Sequence, residues 1–239
     1  MATIVIVHGG WGGGWEWTPV ARRLRERGHE VFTPTLTGFG ERAHLGDAGT
    51  GLSDHIEDVL AVLKWEDLND VVLCGHSYGG MVVSGVADRA AERIRLLVHL
   101  DSFAPIDGQA LTDLVPGEFA DALLAIAEER GDGLVPIPQD LLPAKGVLPD
   151  GERDAYIDRL VAQSIASLTE PVKLSGALDH LPRAYVHCTG YHDSVMGPFV
   201  ERGKAEGWTI RELDTEHDLH LFDPEGTASV IHGLATLVD

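Results

Sequence analysis

The chain has 239 residues, 44% of them hydrophobic, enough for one large core and fitting one domain or one domain with an insertion. Its formal net charge of −20 would be repelled by nucleic acid and by anionic membrane surfaces, and it weighs against strongly anionic substrates. Two cysteines, Cys74 and Cys188, both sit in apolar runs, which suits a reducing compartment and no disulfide framework.

The N-terminus enters an apolar run at residues 3–7 with no basic leader, and no stretch reaches membrane-spanning length. A cytoplasmic location is therefore expected. Short β-branched runs at 3–7, 30–33, 71–74, 94–100, 185–189 and 209–213 alternate with amphipathic stretches. Their near-continuous apolar character predicts an α/β fold, a mostly parallel six-stranded sheet covered on both faces by helices.

Helix signals fall between these runs. Thr18 followed by Pro19 reads as a cap and a first-turn proline, with Gly28 as the stop. Asp54 and Glu57 resemble a capping box ahead of Ile56, Val59, Leu60 and Leu63. A helix is expected from 78 to about 92, and a last one from Pro224 to about 238. The segment 106–182 differs: two amphipathic stretches, 118–130 and 152–166, flank a proline-rich 135–149, with no strong strand. An insertion of this length on the carboxyl side of a parallel sheet reads as a helical cap over a site, and the core then comprises 1–105 and 183–239.

Gly75-His76-Ser77-Tyr78-Gly79 ends the apolar run 71–74 and opens a helix. That context makes it a nucleophile elbow: the strand reverses into the helix in one tight turn, which exposes Ser77 Oγ in a strained backbone conformation, and Gly75, Gly79 and Gly80 give the room. A serine hydroxyl needs a base and an orienting acid. His217, in the loop after the last strand, is the preferred base over His220. Asp193, after the strand 185–189, is the preferred acid over its rival Asp101 at the end of 94–100. Gly10, in His8-Gly9-Gly10-Trp11, and Tyr78 are the expected backbone donors of an oxyanion hole.

The glycine run lacks the lysine and the spacing of a phosphate loop, and no convincing metal-ligand spacing accompanies His217 and His220. His8 is expected to brace the first loop, and His76 to be fixed within the elbow. Gly9 and Trp11 are expected to touch substrate. Trp15 and Trp17 read as packing residues.

Taken together, His8-Gly9-Gly10, Gly14-Trp15-Glu16-Trp17, Gly75 to Gly80, Cys188 to Asp193 and His217 resemble the α/β-hydrolase superfamily, within it the group of plant methylesterases, hydroxynitrile lyases and related bacterial esterases. The resemblance implies a cofactor-free triad of Ser77, Asp193 and His217, with Gly10 and Tyr78 as oxyanion donors. The similar lyases carry threonine after the first-loop histidine and lysine after the catalytic one. Gly9 and Asp218 stand there in this chain, so no cation receives a developing cyanide and ester hydrolysis is favoured. The expected substrate is a small to medium, largely apolar ester, and the expected assembly is a monomer or homodimer. Lyase-like or other cofactor-free chemistry, or ligand binding on a hydrolase scaffold, are the alternatives.

Overall fold

The computed structural model describes residues 1–143, 148–190 and 195–237. Six strands form one sheet: β1 (Thr3–Val7), β2 (Glu30–Phe32), β3 (Val71–Ser77), β4 (Ile94–Ser102), β7 (Arg183–Cys188) and β8 (Thr209–Leu213), in the order β2-β1-β3-β4-β7-β8. Every neighbouring pair is parallel. β5 (Leu134–Val135) and β6 (Gln163–Ser164) make a separate antiparallel ribbon.

Alternate residues of β1 and β3 point to opposite faces, and both faces are covered. On one face Ile4, Ile6, Val72 and Cys74 pack with Val20 and Leu24 of α1 (Thr18–Glu26) and Ile231 and Leu234 of α9 (Pro224–Leu237). On the other, Val5, Val7 and Leu73 pack with Val59 of α2 (Leu52–Trp65), Val82 of α3 (Gly79–Arg89) and Phe199 of α7 (Gly197–Ala205). Each such leucine or valine, fully buried, contributes about 2 kcal/mol from water exclusion. This double coverage is why the strands read as unbroken apolar runs.

Local differences from the expected elements have local causes. The chain in α2 is capped from Gly51, whose N–H donates to the Asp54 carboxylate at 2.7 Å, so Asp54 is the third residue of the cap pair and not its first. The continuous helix expected over 152–166 is instead α5 (Asp150–Ile157) and α6 (Ile165–Thr169), with β6 between them. The intervening backbone is drawn elsewhere: Val161 N–H donates to Trp11 O, and Gln163 and Ser164 pair with Val135 and Leu134. Ser164 then caps α6 by accepting from Ala166 N–H. Between β4 and β7 the chain also forms α4 (Gly117–Arg130), and α8 (Leu219–Phe222) precedes α9. Among the described residues, no helix is long and apolar enough to cross a membrane.

Candidate active site

Ser77 closes β3 with φ of 48°, a left-handed conformation that a serine adopts only under constraint. Its neighbours show the constraint. A Cβ on Gly75 would lie 2.6 Å from Gly79 O, one on Gly79 would lie 2.6 Å from Val7 O, and one on Gly80 would lie 2.0 Å from Phe103 O. Only glycine lets α3 start this close to β1 and β4, and that proximity turns the serine out of the sheet.

His217 follows β8 and lines the same cavity as Ser77. Its Nδ1–H donates to Asp101 Oδ2 at 2.7 Å. That bond fixes the tautomer, because a carboxylate can only accept, and leaves Nε2 as the basic nitrogen. Asp101 is fully buried near the end of β4, with φ of 40°. Its Oδ1 accepts from Cys188 N–H at 3.1 Å and faces His187 Nδ1 at 3.3 Å.

The electrostatics follow from this packing. Burial works to raise the Asp101 pKa, but the bonds from His187 and His217, the His217 charge and the Cys188 N–H outweigh it and hold the group well below the usual carboxylate range. For His217, burial pulls the pKa down while the Asp101 bond and charge pull it up, and the net shift is upward. The imidazolium is therefore stabilised where a proton has to be held.

Asp193, preferred in the sequence for the acid, lies outside the described residues; the carboxylate that meets His217 here is its rival Asp101. The chain reaches that arrangement through the left-handed turn at Asp101, a backbone feature with no mark in the sequence. His220 is held away from Asp101. It stacks on Trp17 with centroids 4.9 Å apart, and its Nε2 is 3.8 Å from Glu16 Oε1.

The remaining expected residues surround the serine. Gly9, Gly10, Trp11 and Tyr78 all line the cavity. A Cβ on Gly9 would be 3.0 Å from His76 Nδ1 and 3.2 Å from Ser77 Cβ, so the loop lies directly against the elbow. His8 Nδ1–H donates to Gly9 O at 2.7 Å, and its Nε2 accepts from Leu36 N–H at 3.1 Å, which ties the first loop to the loop after β2. Trp11, itself at φ of 62°, donates its indole N–H to Val135 O. Tyr78 turns its phenol away to His55 Nδ1 at 2.7 Å, which leaves its backbone at the elbow. Trp17 is fully buried packing.

Three further residues contribute, of which the sequence marks His76 only as fixed within the elbow and assigns Glu16 and Gln163 no role. His76 donates Nε2–H to His217 O at 3.0 Å and so holds the base's backbone from inside the elbow. Glu16 is buried, accepts from Gly13 N–H at 2.9 Å and takes the Tyr156 hydroxyl at 2.6 Å. Gln163 reaches the cavity only because β6 interrupts the expected helix.

The cavity has a volume of about 510 Å³ and is walled largely by apolar side chains, among them Phe103, Leu111, Phe119, Leu160 and Met196. Residues 111–168 supply much of that wall, so the segment between β4 and β7 lines the cavity that holds the serine. His76, His217 and Asp218 bring ligand atoms within 4.8 Å of one another. Of their ring nitrogens, His217 Nδ1 is bonded to Asp101 and His76 Nε2 to the His217 carbonyl.

A serine on a strained strand-to-helix turn, with a glycine loop against it, shares its cavity with a histidine bonded to a buried carboxylate. The sequence pattern of the alpha/beta hydrolase family matches residues 4–230, and the chain belongs to that family. It is 39% identical over 246 residues to a carbendazim hydrolyzing esterase of Nocardioides sp. (strain SG-4G), covering 98% of this chain and 100% of that one. It is 35% identical to Methylesterase 9 of Arabidopsis thaliana over 106 residues, 44% of this chain and 41% of the relative. Among solved structures, an extracellular alpha/beta-hydrolase from a Paenibacillus species superposes with a TM-score of 0.87 at 24% identity, covering 98% of this chain and 99% of that one, a likeness of fold. With an esterase relative matching along 98% of its length, the chain is a carboxylic ester hydrolase.

Proposed function

We propose that the protein hydrolyses small to medium, largely apolar carboxylic esters through an acyl-enzyme, with Ser77 as nucleophile, His217 as general base and acid, and Asp101 as the orienting acid. The 2.7 Å bond from His217 Nδ1 to Asp101, in a cavity shared with the strained Ser77, carries this reading. Ser77 Oγ attacks the ester carbonyl while His217 Nε2 takes its proton. The Gly10 and Tyr78 N–H groups receive the oxyanion, each such donor being worth about 3 kcal/mol in the transition state. His217 then passes the proton to the leaving alcohol and activates the water that frees the acid.

The segment 106–182 acts as the cap in this reading, because its side chains form the apolar wall against which the acyl and alcohol groups lie. Asp218 places a carboxylate, and no cation, beside His217, which favours hydrolysis over cyanohydrin cleavage. The test is turnover of 4-nitrophenyl butyrate by the wild type and by Ser77→Ala. Loss of about 10⁵-fold or more in kcat is expected, and equal turnover by the variant would reject the mechanism.

A further inference from the structure

Asp218 stands at the start of α8 and does nothing for the helix. An aspartate there normally accepts a backbone N–H of the first turn, yet this side chain makes no capping bond. It has no hydrogen-bond or ion-pair partner elsewhere among the described residues. The half-buried carboxylate instead lines the cavity of Ser77, within 4.8 Å of a ring nitrogen of His217. Burial raises its pKa, and the charges of Glu16 and Asp101 add to that against the pull of His220 and His217. A positive group beside it is the partner that reverses such a shift.

The wall around Asp218 suits a cation. Phe222 lies one turn along α8, where its N–H donates to Asp218 O at 3.0 Å, and it lines the same cavity. A carboxylate with an aromatic ring nearby offers an organic ammonium both Coulomb and cation–π attraction. Glu16, Asp140 and Glu216 line the cavity as well, and no described lining residue is Lys or Arg. His220 is an independent mark in this wall. It is 2% exposed, neither ring nitrogen has a hydrogen-bond partner, and Glu16 Oε1 stands 3.8 Å from its Nε2. Native structures keep such unbonded polar groups mainly where a ligand or water completes them, and a neutral imidazole accepts an N–H.

We propose, on the basis of the esterase reading above, that Asp218 binds a protonated amine carried by the leaving alcohol, so that the site favours esters of amino alcohols over neutral esters of the same shape. The side of the substrate follows from the mechanism. His217 hands its proton to the leaving alcohol, so that alcohol lies against His217, and the Asp218 carboxylate is beside it. The bonds made and broken are those of the hydrolysis already given. Ser77 Oγ joins the carbonyl carbon, the bond from that carbon to the alcohol oxygen breaks, and the serine proton leaves on the alcohol by way of His217. The ammonium keeps its own proton throughout.

The test uses two esters of one shape, 2-(dimethylamino)ethyl butyrate and 3-methylbutyl butyrate, the second with CH where the first has NH⁺. Release of butyric acid is followed at neutral pH, where the amine is protonated, for the wild type and for Asp218→Asn, after thermal unfolding shows both are folded. Intrinsic reactivity, and any change at His217, cancel when the amine-to-neutral ratios of kcat/KM are compared. That ratio is expected to fall about tenfold in Asp218→Asn, and an unchanged ratio overturns the proposal. Asp140→Asn removes an exposed carboxylate of the same lining. It should leave the ratio within about twofold, and a fall as large as that in Asp218→Asn would overturn the assignment to Asp218. If the wild type cleaves neither ester, the esterase reading fails. The recognition claim is then decided by calorimetry with the same two esters, where Asp218→Asn must erase a preference for the amine, and equal affinities in the wild type would sink it.

Discussion

The sheet with its helices and the segment between β4 and β7 are built on different principles. In the first, Ile4, Ile6, Val72, Leu73 and Val98 are fully buried, and order comes from continuous apolar contact on both faces. The second buries shorter, scattered apolar groups, such as Leu111, Leu123, Val135, Leu168 and Val172, against the same core, and adds polar bonds to the first region. Trp11 donates to Val135 O, Tyr156 to Glu16, and Ser53 N–H to Glu170, while Asp88 accepts from the Ser175 and Gly176 N–H groups. The residues proposed for the chemistry stand on the first region, and much of the cavity wall comes from the second. Stability and bond-breaking can therefore be damaged separately from substrate choice.

The largest effect is expected inside the sheet. Asp101→Asn keeps the shape but removes the acceptor that fixes the His217 tautomer, and kcat should fall about 10⁴-fold with little change in KM. Asp193→Asn made in parallel decides between the two acids: a comparable loss there, with a mild effect at Asp101, would move the orienting role to Asp193. The pH profile sharpens this. His217 must be unprotonated to act as base, and its pKa is raised above the ordinary value mainly by Asp101 working against burial. kcat/KM should therefore fall as pH drops through that raised value, by about tenfold per unit below it. In Asp101→Asn only the Asp218 charge is left against burial, so the acid limb of the residual activity should move to lower pH; a limb that stays in place would show that another group sets it.

The two regions were not equally legible in the sequence. Strands covered on both faces announce themselves by composition, and the elbow by its glycines, since steric room at Gly75, Gly79 and Gly80 has no other solution. His217 was singled out by its place after the last strand, and the structure sets it in the same cavity wall as Ser77. The partner of His217 was harder to single out, because Asp101 and Asp193 both come after apolar runs in the sequence, and the left-handed backbone at Asp101 leaves no trace in residue type. The stretch 152–166 misled because its apolar spacing fits a helix, whereas long-range bonds from Trp11 O and from β5 decide its backbone. Gln163, and Glu16 within its recognisable segment, had no readable role for the same reason: a polar residue becomes part of a site only through partners distant in the chain.

A core truncation should separate the regions in the opposite sense. Leu73 is fully buried in β3, between β1 and β4. Leu73→Ala should cost about 2–5 kcal/mol of unfolding free energy by lost burial and the cavity left behind. Below its lowered Tm the ratio of kcat/KM values across a series of acyl chain lengths should match the wild type. A changed ratio in the folded variant would mean that the wall of the cavity responds to strain in the sheet.

The smallest and most selective effect belongs to the Tyr156 hydroxyl, which links α5 to the core at the edge of the cavity. Burial works to raise the Glu16 pKa, but His220, the Tyr156 hydroxyl and the Gly13 N–H outweigh it and keep the carboxylate ionised. Tyr156→Phe retains the ring and its packing near Trp15 but takes one donor from that carboxylate. The expected loss is about 1–2 kcal/mol, the range for a hydrogen bond to a buried charge when its partner keeps a second donor. α5 then holds the cavity wall less firmly, so KM should rise several-fold for long acyl esters. kcat should hold, since Ser77, His217 and Asp101 all sit on the sheet side. A fall in kcat at constant KM would break the division argued here, because it would make the Glu16 carboxylate part of the charge balance at His217 instead of a fastening between the two regions.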